Sequence, residues 1–244
     1  MSEGAPADVA VRLRNVVKHY QSLRPLRVRE LDIRTTSSLA LLGFDAPMAE
    51  VFVNLLTAGG LPDEGEVIVF GEPTTSVSDH RSWMTLLDRF GLVSDRSVLL
   101  DQLSVEQNLA MPLTLAVHSM GDAVRADVRR LADEVGLPSA HLARPLADVP
   151  TASVIRLRLG RALALRPQVL LAEHPNATLS PDEASALASD IARIRRDRRI
   201  ASVVLTADRR FAETVGDELL TLQPATGELK AHPKRRRWFP WNGT

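Results

Sequence analysis

The chain has 244 residues, 45% of them hydrophobic and 25% charged, which is enough to bury the core of one large domain or two small ones. Thirty Lys plus Arg balance thirty Asp plus Glu, so a large nucleic-acid surface is not indicated, and with no cysteine there is neither a disulfide framework nor a thiolate metal site. The opening stretch lacks an apolar signal core, and no run approaches the roughly 18 apolar residues of a membrane span, so the sequence predicts a cytoplasmic chain.

Residues 9–14 and 26–33 alternate apolar and polar side chains, the period of half-buried strands. Residues 39–42 are a continuous apolar run, suited to a strand covered on both faces. Gly43 and a short loop follow, and residues 51–57 fit a helix. Residues 61–73, LPDEGEVIVFGEP, carry an acidic, glycine-containing turn and a β-rich run ending in glycine, a hairpin signal. Residues 90–94 read as a short strand. In LSVEQNLAMPL, Ser104 with Gln107 three residues on forms a capping box that opens a helix. Residues 122–135 predict an amphipathic helix closed by Gly136 and Pro138. Residues 153–165 predict an apolar helix leading into PQVLLAEHP, a buried strand that ends in an acid.

Ser180, Pro181, Asp182 and Glu183 supply a cap, a first-turn proline and acids at the positive dipole end of a helix running to about Arg196. ASVVLTADRRFAE predicts a last buried strand and a short helix, and DELLTLQPATGEL a final hairpin. Buried strands alternating with helices predict an α/β fold with a mostly parallel sheet. The hairpin signals add an antiparallel β subdomain. A stretch of helices alone, about 102–148, reads as an inserted helical subdomain. The domain spans 1–230, and residues 231–244 form a basic-aromatic tail with Trp238, Phe239 and Trp241 beside four basic residues. Such a tail suits a membrane interface, a dimer contact or disorder.

The strand, loop and helix at 39–60 have the layout of a phosphate-binding loop, usually G-x-x-x-x-G-K-[ST]. Here those places read Gly43, Met48, Ala49 and Glu50. Such a loop works through convergent N–H groups, a helix dipole and one lysine. Pro47 lacks an N–H, Ala46 and Met48 stand where glycines give positive-φ freedom, and Ala49 carries no charge. Glu50 is expected to set a carboxylate at the helix N-terminus, stabilising it by roughly 0.3–1 kcal/mol and filling the anion site from within.

In order and spacing, residues from about 9 to 229 resemble the ATP-binding subunit of ABC transporters, a P-loop NTPase-like fold. The resemblance puts Tyr20 at the aromatic that stacks on adenine and residues 43–50 at the phosphate loop. It puts Asp95 at the metal-binding glutamine, and Val149, Pro150, Thr151, Ala152 and Ser153 at the signature. Glu173 falls at the acid that ends the Walker B strand, His174 at the catalytic glutamate and Ala207 at the switch histidine. It implies ATP and Mg²⁺ as cofactors, with Ala49 and Glu50 replacing the lysine and the metal hydroxyl. On this reading Glu50, Asp95 and Glu173 surround one Mg²⁺ position, with His174 alongside. Three carboxylates in one cleft are relieved by a divalent cation, a shared proton or splaying into water.

Plainer roles stand beside these. Tyr20 also fits a packed aromatic, Gly43 a simple turn, Glu173 and His174 a solvated pair, and the arginines from Arg193 to Arg199 a helix end that complements the dipole. The resemblance implies a membrane permease and a second ATP-binding subunit, in a homo- or heterodimer at the inner face of the cell membrane, and no nucleic acid. The residues predict impaired ATP binding and hydrolysis. The alternatives are an active ABC-type ATPase with atypical residues, in which His174 serves as base, and a non-transport scaffold or regulator.

Overall fold

The computed structural model describes residues 8–232. Of the basic-aromatic tail, only Ala231 and His232 fall within them, at the end of a strand.

Two sheets form the molecule. The first is antiparallel, in the order β2-β1-β4-β5, from β1 (Val9–Lys18), β2 (Leu26–Arg34), β4 (Glu64–Val69) and β5 (Glu72–Pro73). Alternation sets its register: Leu13 lies opposite Leu31, Val16 opposite Val28 and Val11 opposite Val69, all inward. A bulge between Arg14 and Val17 brings Asn15 against Gly65, whose missing Cβ would lie 2.3 Å from the Asn15 carbonyl oxygen.

The second sheet has the order β10-β9-β3-β8-β7-β6. Its strands are β3 (Ser38–Leu42), β6 (Phe90–Val93), β7 (Val169–Glu173), β8 (Ala201–Leu205), β9 (Glu218–Gln223) and β10 (Glu228–His232). All its pairings are parallel except β9 with β10. Both faces are covered, and alternate residues feed two cores. Leu39, Leu41, Val169, Leu171, Val203 and Leu205 pack with α1 (Ala46–Leu56) and the antiparallel sheet. Ala40, Leu170, Ala172 and Val204 pack on the opposite face with helices.

Those helices are α3 (Val105–Ala110), α4 (Asp122–Glu134), α5 (Ser139–Leu142), α6 (Thr151–Ala164), α7 (Pro181–Arg198) and α8 (Arg209–Val215). The Ser104–Gln107 and Ser180–Glu183 capping boxes both form. Between β6 and α6 the regular elements are almost entirely helical, the inserted helical unit that the sequence predicts. One further helix, α2 (His80–Leu87), lies in a stretch to which the sequence reading gives no element. None of its residues is buried, and Trp83 Nε1 donates to the Thr57 carbonyl oxygen at 3.1 Å. Among the described residues no helix is long and apolar enough to cross a membrane.

The parallel register decides where a site can form. Leu41 and Glu173 both stand opposite Leu205, and Val93 opposite Ala172. Gly43, Ser94, Glu173 and Thr206 therefore share the carboxyl edge of the sheet, where open α/β sheets bind ligands.

Candidate functional site

The chain leaves β3 through Gly43, whose φ of +85° and 3.0 Å approach of a would-be Cβ to the Leu222 carbonyl oxygen require glycine. Helix α1 then begins at Ala46, so residues 46–50 are helical rather than loop. Pro47 fits this first turn, where a missing N–H costs nothing. Ala46 and Met48 take no positive φ. Asp45 is the N-cap, and its carboxylate accepts the Met48 N–H at 2.8 Å. The expectation that Glu50 is the acid at the helix N-terminus is therefore corrected. Glu50 lies beyond the first turn and Asp45 fills that place. Ala49 is fully buried and Phe52 packs on Phe44, ring centroids 5.1 Å apart, so this turn is anchored in the core.

Glu173 ends β7 with its side chain only 9% exposed. It accepts the Ser94 hydroxyl at 3.0 Å and two nitrogens of Arg96, Nη2 at 2.5 Å and Nε at 3.3 Å. The remaining Arg96 nitrogen, Nη1, lies 3.4 Å from Glu50 Oε1 and 3.4 Å from Asn54 Oδ1. Asp95 points elsewhere, to the Arg158 guanidinium. The predicted three-carboxylate cleft is thus corrected: Glu50 and Glu173 meet across a guanidinium, and Asp95 pairs with another. Among the described residues no group of three or more His, Cys, Asp or Glu is placed to hold a metal.

His174 follows at φ +44°, in a region side-chain-bearing residues rarely occupy, with its N–H on the Leu205 carbonyl oxygen at 2.8 Å. Its Nε2 is buried without a hydrogen-bond partner. Thr206 donates to Asn176 Oδ1 at 2.8 Å, and Asp208 caps α8 through the Arg210 and Phe211 N–H groups. Ala207, between them, is exposed. Tyr20 lies just past β1, half-buried against the core that holds α1. Beside it, Asp63 accepts Lys18 Nζ at 2.7 Å and the His19 N–H at 2.6 Å. The Lys18 bond, followed by the His19 N–H, holds the Asp63 carboxyl down to about 2.

Val149, Pro150, Thr151, Ala152 and Ser153 form the start of α6, on the helical core. Pro150 caps it without a side-chain hydrogen bond, and the buried Ser153 hydroxyl meets His141 Nδ1 at 2.8 Å. Among the described residues no hydrogen bond or ion pair joins residues 149–153 to residues 43–50.

No model of a protein family matches the chain. The lipoprotein-releasing system ATP-binding protein LolD 2 of Caulobacter vibrioides is 29% identical over 231 residues, 92% of this chain and 99% of that protein. The methionine import ATP-binding protein MetN 2 of Pseudomonas aeruginosa is 27% identical over 215 residues; the match spans 88% of this chain and 63% of that protein's length. The dimeric structure of MJ0796, a bacterial ABC transporter cassette, shares the fold with a TM-score of 0.78, covering 92% of this chain and 99% of that one at 20% identity. The chain's homologues are ATP-binding subunits of ABC transporters.

On this ABC cassette fold, the edge that brings Gly43, Glu50 and Glu173 together is the one to which the sequence resemblance assigns nucleotide and metal. At that edge sequence reasoning finds Asp45 as an acid facing an incoming phosphate but misses its role as the cap, and it misses Arg96. Asp45 carried a signal, because an acid two residues before a proline is a good cap. Arg96 carried none: its partners Glu50 and Glu173 lie 46 and 77 residues away.

Proposed function

We propose that this chain is an ABC-transporter-type subunit with impaired ATP binding and hydrolysis, working in association with a membrane permease or a second ATP-binding subunit. The observation that carries the reading is the closed first turn of α1. An anion-binding loop needs free N–H groups and a cation. Here the Met48 N–H is taken by Asp45, Ala49 lies in the core where the resemblance puts a lysine, and an incoming phosphate meets the Asp45 carboxylate. Each like-charge contact at about 4 Å costs about 1 kcal/mol in water and more in a cleft. The residues around Gly43 do not fit Mg–ATP.

Association is supported by apolar side chains open to solvent: Val98 (71% exposed), Leu115 (99%) and Leu165 (51%). MJ0796, of the same fold, is dimeric. By the resemblance, each site in such a dimer pairs one subunit's phosphate loop with the other's signature, so a homodimer would have no competent site, and in a heterodimer this chain would spoil one site through its phosphate loop and weaken the other through its signature. The relatives' names include lipoprotein release, methionine import and sulfate/thiosulfate import, so the role carried over is that of the ATP-binding subunit, without a cargo. The chain's place is then peripheral, at the inner face of the membrane.

The orphan His174 Nε2 favours a second reading, an active ABC-type ATPase with a histidine base. Turnover assays on the purified chain separate the two. The first reading expects background hydrolysis that His174→Ala leaves unchanged; hydrolysis that His174→Ala abolishes installs the second. Copurification with a permease from solubilised membranes supports association, and isolation as a lone soluble protein favours a scaffold.

A further inference from the structure

Glu173 raises a question of charge. A carboxylate with a side chain only 9% exposed must be neutralised or fully hydrogen-bonded. Ser94 supplies one hydrogen bond, and the rest comes from Arg96. Arg96 sits in the turn after β6 and reaches β7 through Glu173 and α1 through Glu50 and Asn54. One guanidinium therefore ties three elements at the carboxyl edge of the sheet. Two of its nitrogens meet the two oxygens of Glu173, an arrangement the planar fork of arginine fits and lysine does not.

We propose that Arg96 is the resident cation of this cleft, standing between Glu173 and Glu50 in place of a divalent metal. The idea rests on the reading of the chain as a nucleotide-impaired cassette and adds what occupies the space. The guanidinium meets oxygen only: the carboxylates of Glu173 and Glu50 and the Asn54 amide oxygen, with the Ser94 hydroxyl on Glu173 beside them. That is the set hard cations such as Mg²⁺, Mn²⁺ and Ca²⁺ take. The carboxylates are there, and their charge is already matched. Removing the guanidinium leaves two carboxylates facing one vacated space, which a small divalent cation can fill.

The test is thermal unfolding of the full chain, without nucleotide, in EDTA and in Mg²⁺, Mn²⁺ or Ca²⁺ at constant ionic strength. The wild type should show no divalent-specific shift. Arg96→Ala should melt several degrees lower in EDTA and regain much of the loss in divalent cation, with a midpoint on the order of 1 mM. Adding Glu173→Gln to Arg96→Ala should remove the regain. If Arg96→Ala does not fold, Arg96→Gln, which keeps a neutral donor, should show the same gain of cation response. Either of two results overturns the proposal: a wild type stabilised by divalents as strongly as the variant, or a folded variant with no cation response, whatever its melting temperature in EDTA. Tight ATP binding by the wild type would overturn the reading of the nucleotide site. It would leave the resident cation standing if the nucleotide-free wild type stays insensitive to divalents.

Discussion

The Asp45 carboxylate accepts the Met48 N–H at 2.8 Å, within the turn that opens α1. The bond satisfies a donor that a phosphate-binding loop would leave free, and it sets a negative charge at the positive end of the helix. Helix α1 is thereby finished by its own sequence. Asp45→Ala should lower stability by about 1 kcal/mol, a drop in melting temperature of about 2–4 °C for a chain of this size. Asp45→Ser should recover most of it. Thermal unfolding of the three proteins checks this, and an unchanged melting temperature in Asp45→Ala would mean the cap contributes nothing.

Asp63 gives a pH signature. Lys18 and the His19 N–H hold its carboxyl from the usual 3.8 down to about 2. A depressed acid stabilises the fold above its unfolded value and loses that contribution as pH falls through its folded value. The gap in stability between wild type and Asp63→Asn should therefore be constant above about pH 5 and shrink between about pH 4 and 2. Denaturant unfolding at stepped pH measures it. A gap independent of pH would show that the ion pair with Lys18 is not the source.

Asn108 is fully buried and holds the segment before it. Its side chain accepts the Leu100 N–H at 2.9 Å and donates to the Leu100, Leu103 and Ser104 carbonyl oxygens. Asn108→Leu removes the partner of the Leu100 N–H and of the Leu103 carbonyl oxygen, while the Leu100 and Ser104 carbonyl oxygens keep the Leu103 and Asn108 N–H groups, and should cost about 1–3 kcal/mol. Amide exchange should quicken from Leu100 to Ser104, while β7 and β8 stay protected. Unchanged exchange at Leu100 would contradict the assigned role.

The strands and most helices were legible because both faces of the sheet are buried. Residues 39–42 and 169–173 read as continuous apolar runs, and Ser104–Gln107 and Ser180–Glu183 announced their helices by local capping chemistry. The start of α1 is hidden because Ala46, Pro47 and Met48 occupy places where a phosphate loop has glycines, although proline is at home in a first turn. Helix α2 carries apolar residues at helical spacing, Trp83, Met84, Leu86 and Leu87, but it is only eight residues long and buries none of them, so the sequence reading passes over it. At the site, identity was legible and pairing was not. Glu50, Asp95 and Glu173 stand out in the sequence as acids, yet which of them meet is decided by Arg96 and Arg158, whose reach across the fold has no sequence period.

The most direct test of the central claim is a calorimetric titration of the purified full chain with ATP in millimolar Mg²⁺. With Asp45 closing the first turn, Ala49 in the core and Arg96 between Glu50 and Glu173, the titration should show no saturable binding up to millimolar ATP. A saturable isotherm with a micromolar dissociation constant would contradict the account.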